Sequence, residues 1–415
     1  MSRRRRALAP LSIPNYRRYY LGQLFARCGV WVQTVAELWL VLRLTGSGLS
    51  LGFTTALQFT PMLLVGAWSG LLADRLPKRR ILLAAMTLMV VPAAALFMLT
   101  VTGAVELWMV YGLVLLRGVG HAFDHPVRQA FVMEIVGARH VAAAVSLNAA
   151  LVSSARLVGP AVGGTIIAAA GVPPCFALSA ALFAGAVIAL AALDESALHP
   201  SDRVARGPGQ LRAGLRYVCS TPELLAPLAA MALVGTLAFN FPILLPLMAK
   251  FSFDAGAGTY GALAGAMGAG AIVGALLNAA RHSPGLRDLT LLALAFGVLM
   301  AALAVVPSLP LALAVLVPLG AASTVFSASV NAVLQLASSP FMRGRVMALY
   351  SVLFIGSAPL GGPIVGWVSE HSGPRAGVFV GAAATLAAGA GLALHGRRRE
   401  VAEAAPAERR ARTAA

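Results

Sequence analysis

A chain of 415 residues has room for two or three soluble domains, but 59% hydrophobic content, 11% charged residues and a mean hydropathy of +0.82 cannot build a water-facing surface. A soluble protein is excluded. The net charge of +17 suggests a nucleic-acid binder only until the charges are located along the chain.

Charge-free stretches occupy 44–73, 81–105, 157–193, 224–249, 255–280, 289–342 and 376–396. A helix needs about 20 apolar residues to cross a bilayer, so the longest of these hold two crossings each. In chain order the predicted spans are 19–44, 50–73, 81–102, 106–124, 142–170, 173–193, 224–248, 257–280, 289–306, 310–335, 346–368 and 376–395, bordered by Gly, Pro and charge clusters. The run Arg3–Arg6 precedes an apolar segment, as in a signal peptide. That segment carries Arg27 and Glu37 and shows no small-residue cleavage site, so it reads as a retained first span. The fold class is an all-α polytopic membrane protein with twelve transmembrane helices in two six-helix lobes. Its expected parts are a basic N-tail at 1–18, lobes at 19–193 and 224–395, a linker at 194–223 and a C-tail at 396–415, both tails lying on one side.

Of the 32 basic residues, 26 fall in the tails and in loops 74–80, 125–141, 194–223, 281–288 and 336–345, against three, Arg43, Lys250 and Arg375, on the other side. Positive residues stay cytoplasmic, so both termini are expected in the cytoplasm. The charge excess is a topology signal, and no nucleic-acid partner is expected. Cys28, Cys175 and Cys219 form neither a disulfide framework nor a metal spacing.

The halves repeat at an offset of about 200 residues: Gly70-Leu-Leu-Ala-Asp74 answers Gly274-Ala-Leu-Leu-Asn278, and Pro160-x-x-Gly163 answers Pro359-x-x-Gly362. Two such lobes imply a site between them at mid-membrane, the geometry of a transporter. With Arg75, Lys78, Arg79 and Arg80 following Asp74, the second-span end resembles the loop 2–3 signature of the major facilitator superfamily. Arg117-Gly118-Val-Gly120 resembles its fourth-span signature, and Gly159, Pro160, Gly163 and Gly164 its antiporter-associated fifth-span motif. Phe123-Asp124-His-Pro126-Val-Arg128, Ser146-Leu-Asn148, Arg156-Leu-Val-Gly159 and Arg343-Gly344-Arg345-Val346-Met347 are similar to the enterobactin-exporter-like efflux branch. The resemblance covers about 12–395. Pro77 departs from the pattern and stiffens the loop, and Asn278 and Ala279 leave the second copy of the signature without its charges.

The resemblance implies a latch on the cytoplasmic side that clasps when the transporter opens outward, built from Gly70, Asp74, Arg75, Lys78 and Arg79 with Asp124, Arg128, Arg343 and Arg345. The plainer reading makes the basic residues orientation anchors, and Asp124 before Pro126 the cap of a short surface helix. Gly159, Gly163 and Gly164 around Pro160, like Gly356, Gly361, Gly362 and Gly366 in the eleventh span, form small-residue faces for close packing.

Charges within spans cost about 2.5–3.5 kcal/mol each on insertion scales, which makes Arg27, Glu37, Arg117 and Arg156 functional candidates. Gln23, Arg27, Thr34 and Glu37 lie within an arc of about 80° on the first helix. Arg27 and Glu37 are ~15 Å apart along the axis, so Glu37 is expected to meet Arg117 or Arg156. Glu37 is the leading candidate for proton coupling, with a permanently paired structural role as the alternative. The second half offers neutral polar groups at Thr324, Ser327, Asn331 and Gln335 on one helical face. Phe239, Asn240, Phe241, Tyr350 and Phe354 add aromatic surface for a substrate cavity suited to a fairly large amphipathic molecule.

The expectation is a monomeric bacterial inner-membrane transporter in the lipid bilayer. It exports a small organic compound such as a siderophore, drug or secondary metabolite in exchange for protons by alternating access, without cofactor, metal or enzymatic activity. A solute importer of the same fold and a non-transporting membrane scaffold or sensor are the alternatives.

Overall fold

The computed structural model describes residues 9–199, 210–279, 284–339, 341–354 and 356–414, and the side chains of these except at 66–75, 125, 138, 153, 210–214, 222 and 398–414. Among the described residues, eleven helices are long and apolar enough to cross a membrane. Span 1 is Pro14–Thr45, span 2 begins Gly48–Val65, span 3 is Lys78–Thr102, span 5 Arg139–Ala170 and span 6 Pro173–Ala191. Span 7 is Glu223–Ser252, span 8 Ala257–Ala279, span 9 Leu286–Val305, span 10 Leu309–Ala337, span 11 Arg343–Ser372 and span 12 Pro374–Arg397. Span 4 is the first of two helices that meet at a kink at Gly137 within Leu107–Ala170, and Arg117, His121 and Asp124 dilute its otherwise apolar run. The two ends of the molecule are here called near, where the termini lie, and far.

Local sequence explains the boundaries. Pro starts several helices, including those at Pro14 and Pro173, where its missing N–H costs nothing. Span 1 stops at Gly46, which takes φ 65° and returns its N–H to the carbonyl of Leu42. Span 7 breaks after Leu237 and restarts at Phe241-Pro242, then ends in a π turn at Met248–Ser252 just after Pro246.

Two expectations are corrected. Span 1 starts at Pro14, so Arg17 and Arg18 belong to its first turns instead of a tail ending at residue 18. The loop expected at 125–141 is helical: Leu107–Ala170 runs on past the apolar stretch and is interrupted only at Gly137, with φ 67° and ψ 171°. Lys78 pairs with Glu134 on this extension, and the Glu134 carbonyl accepts the His199 N–H at 2.8 Å. Those bonds give the extra helical turns a surface to lie on, which the charge pattern alone does not reveal.

Span 1 packs on spans 4, 5 and 6, and spans 8, 9, 10 and 12 pack on one another, so each half forms its own bundle. The halves meet through span 2 on span 11 and span 5 on span 8. Both contacts use residues without side chains. A Cβ on Gly48 would lie 2.6 Å from the Gly366 carbonyl oxygen, one on Gly362 would lie 2.9 Å from that of Gly52, and one on Gly164 2.6 Å from the Gly261 Cα. The Gly-x-x-x-Gly pairs at 48/52 and 362/366 thus bring two helices to backbone contact. At the far end the Glu370 carboxylate accepts the Ser47 hydroxyl at 2.5 Å and the Leu49 N–H at 2.9 Å, and Lys250 donates to the Leu42 carbonyl at 3.1 Å. Trp39 stacks on Tyr260 at 6.3 Å. These approaches lie in the far half and the middle, so the lobes are shut at the far end. One apolar core runs through both lobes, and a second, around Tyr16, Tyr19, Phe131 and Phe183, belongs to the first lobe at the near end.

Gly362→Leu should prise the far end open, because overpacking a closed contact costs about 1–3 kcal/mol, roughly a fivefold or greater shift between closed and open states. Labelling of Ala264→Cys by an impermeant maleimide added on the far side is expected to speed up accordingly, in a protein whose three native cysteines have been replaced.

Candidate functional site: buried charges beside an interlobe cavity

The apolar interior of the first lobe holds two ion pairs. Glu37 and Arg117, on spans 1 and 4, are each 1% exposed, and Nη2 of Arg117 donates to Oε2 of Glu37 at 2.5 Å. Gln33, one turn before Glu37, donates from Nε2 to Oε1 at 2.8 Å, so both carboxylate oxygens are occupied. Nη1 of Arg117 reaches Thr34 Oγ1 at 3.4 Å. Of the two partners expected for Glu37, it meets Arg117.

The second pair lies about two turns nearer the near end. Asp124 accepts from Arg128 Nε at 2.8 and 3.0 Å and from Nη2, one helical turn apart on the same helix, and both side chains are buried. The Arg128 guanidinium also lies 5.9 Å from the Tyr19 ring, and Gln23 donates to the Tyr19 hydroxyl at 2.7 Å. Asp124 therefore does not cap a surface helix, as the plainer sequence reading had it: it sits well inside a continuous helix and bonds forward to Arg128, a residue counted from sequence as a loop charge.

Between the lobes lies a cavity of about 50 Å³ lined by Trp31 and Thr34 of span 1, Arg156 and Pro160 of span 5, and residues of spans 7 and 8 that include Phe241 and Tyr260. Arg156 presents exposed surface to this space, with its guanidinium 5.8 Å from the Trp31 ring. Thr34 belongs to both constellations: it lines the cavity and it accepts from Arg117. Gly159 and Gly163 pack against Trp31 and Val35 within the first lobe, while Gly164 makes the contact with Gly261 across the interface.

The other candidates scatter. Phe241 lines the cavity, but Phe239 packs with Phe296 at 5.6 Å and with Phe354 at 5.3 Å inside the second lobe. Asn240 is buried at the break in span 7 and donates to the Thr236 carbonyl at 2.7 Å, binding its own helix. Of the span 10 stripe, the Ser327 carbonyl accepts from Tyr350 of span 11 at 3.1 Å, while Gln335 donates to Asn331 at 2.5 Å and the Ser327 hydroxyl to the Thr324 carbonyl at 3.1 Å within span 10 itself. Tyr350 stacks on Phe354 at 5.8 Å. Lys78 pairs with Glu134 and Arg79 with Glu195, both within the first lobe and its linker, while Arg345 lies 5.4 Å from the Phe341 ring. Among the described residues Arg343 and Arg345 join no ion pair. Gly70, Asp74 and Arg75 lie outside the described side chains.

Trp31, Gln33 and Tyr260 were absent from the sequence-derived set. Gln33 carries a legible signal, one helical turn from Glu37. Tyr260 carries none, because its role depends on which helix faces it.

A family described as transmembrane secretion effector, within the major facilitator superfamily, matches residues 5–413. The chain belongs to this family. The transporter is 28% identical over 364 residues to the multidrug efflux pump Tap of Mycolicibacterium fortuitum, covering 85% of this chain and 88% of that one. It is 28% identical over 161 residues to the staphyloferrin A transporter of Staphylococcus aureus, covering 39% and 41%. Among solved structures, a bacterial homologue of the iron transporter ferroportin matches with a TM-score of 0.75 at 14% identity, covering 95% and 99%, and the nucleoside transporter NupG with 0.72 at 13%, covering 92% and 99%. The fold is the twelve-helix major facilitator fold in two six-helix lobes, with the charge-diluted span 4 completing the set. The protein is a multi-pass membrane transporter of small molecules and not an enzyme.

Replacing Arg117 with Met strands the Glu37 carboxylate in an apolar interior, which costs about 3–5 kcal/mol. Thermal unfolding in detergent should show that loss, and adding Glu37→Gln to the same protein should recover most of it.

Proposed function

We propose that the transporter exports a small amphipathic organic compound, of the drug, siderophore or secondary-metabolite kind, in exchange for protons by alternating access. One observation carries the coupling: Thr34 faces the interlobe cavity and also accepts a hydrogen bond from Arg117, whose other arm holds Glu37. Cargo in the cavity and a proton on Glu37 therefore act on the same guanidinium. Protonating Glu37 removes the charge that holds Arg117 and frees it to turn toward the cavity. Releasing the proton draws it back. The efflux-pump relative over most of the chain supports export, and the 26 basic residues of the near side support cytoplasmic termini in the inner membrane.

With cytoplasmic termini, a molecule shut at its far end is inward-facing, the state that loads an exporter. Opening outward requires the Gly48/Gly366, Gly52/Gly362 and Gly164/Gly261 contacts to part and a near-side clasp to form. Gly70, Asp74 and Arg75, with Lys78, Arg79, Arg343 and Arg345, are the proposed clasp. The Lys78–Glu134 and Arg79–Glu195 pairs are the arrangement they leave. Asp124 and Arg128, buried below span 1, are proposed to pass that movement to the polar stripe at Gln23 and Arg27. No step requires a second copy, and we propose a working monomer.

Everted vesicles test the reading. Acidifying the lumen should drive accumulation of at least one member of a panel of fluorescent amphipathic compounds, organic acids as well as organic cations, in vesicles carrying the protein, and Glu37→Gln should reduce that accumulation to the level of empty vesicles. Normal proton-driven accumulation by Glu37→Gln would remove Glu37 from the coupling step, and uptake by intact cells with none by everted vesicles would reverse the direction.

A further inference from the structure

Among the described residues, one guanidinium of the first lobe that borders the interlobe cavity, that of Arg156, joins no ion pair. Glu37 is taken by Arg117 and Asp124 by Arg128. Among the described residues Arg156 enters no hydrogen bond or ion pair, and its described neighbour is the face of Trp31. The buried Nε of Arg27 also lacks a partner. Arg27, one helical turn toward the near end on span 1, lies within reach of the Asp124 carboxylate, so Arg156 is the unpaired cation beside the cavity. An unanswered charge at mid-span is expensive, and the usual compensation is a ligand or a water-filled path.

The walls narrow the ligand further. Trp31, Phe241 and Tyr260 bound the space beside Arg156, and its volume of about 50 Å³ takes a few water-sized groups rather than a whole organic molecule. That is room for a carboxylate head group, and Trp31, the one of the three aromatics that is not buried, offers a face for an aromatic body beside it. A cationic head group would meet a like charge there, and a neutral one would leave the guanidinium without a counter-charge.

We propose that Arg156 is an anion subsite that binds the carboxylate of an aromatic organic acid, whose ring lies along the face of Trp31. The assignment rests on the transport reading for there being a cargo, but not on its direction or its coupling ion.

Calorimetric titration of the purified full-length protein in nanodiscs, with 2-naphthoate and its uncharged analogue 2-naphthamide, tests it. Wild type should bind the acid about tenfold or more tightly than the amide, as a charge-assisted contact predicts. Arg156→Gln should bring the two within about threefold of each other, and Arg156→Lys should keep a clear preference for the acid. Because Arg156→Gln removes a charge that nothing answers, its melting temperature should not fall, which separates a binding role from a structural one. Equal affinities in wild type, no binding of either compound, or an unchanged preference in Arg156→Gln would overturn the subsite. Acid selectivity that persists in a protein failing the vesicle experiment would overturn the export reading and leave the subsite standing.

Discussion

A carboxylate and a guanidinium placed in the apolar middle of a membrane protein must find each other, and the Glu37–Arg117 pair does so with both partners 1% exposed. Around it the rest of the first lobe is arranged. Span 1 must approach span 4 closely enough for a 2.5 Å contact, Gln33 must present its amide to the remaining oxygen, and Thr34 must lie between the pair and the cavity. The pair adds little net stability by itself, since desolvation offsets most of the attraction. What it supplies in the proposed mechanism is a charge balance that a single proton would alter.

The complementary constraint is the absence of side chains where the lobes touch. Gly48 and Gly52 on span 2 meet Gly362 and Gly366 on span 11, and Gly164 on span 5 meets Gly261 on span 8. Within a bilayer the lipid tails are as apolar as the side chains, so hydrophobic burial does not hold such faces together. Dispersion across a close backbone contact does, supported at the far end by Glu370 and Lys250. A contact of this kind is firm when closed and cheap to open, because no large side chain has to be extracted. The fifth-span motif joins both parts of the design: Gly159 and Gly163 seat span 5 on span 1, and Gly164, one residue on, faces the other lobe.

The asymmetry between lobes follows from where the charges are. Glu37, Arg117, Asp124, Arg128, Arg27 and Arg156 all belong to the first lobe. The second offers Phe241 and Tyr260 to the cavity, and its span 10 meets Tyr350 through the Ser327 carbonyl. One lobe carries the electrostatics and the other contributes wall and shape.

Much of this was legible in the residues. Apolar length and the asymmetric count of Lys and Arg specify a polytopic helical protein with both tails on one side, because hydrocarbon admits only helices with few charges. The repeat at about 200 residues specifies two lobes, and the rarity of charges within spans singles out Glu37, Arg27, Arg117 and Arg156. Other features needed the third dimension. The helix carried past residue 125 to Gly137 reads as a loop because its charges are those of a loop, and the bonds of Glu134 to Lys78 and to the His199 N–H show what it lies on. Glu37 had two candidate partners at the level of sequence; Arg117 is the one span 4 brings to it, while span 5 turns Arg156 toward Trp31 and the cavity. Asn240 and Phe239 read as cavity wall and prove to be packing inside the second lobe. Periodicity assigns a residue to a face of its own helix, but which helix that face meets is settled by the packing of all twelve.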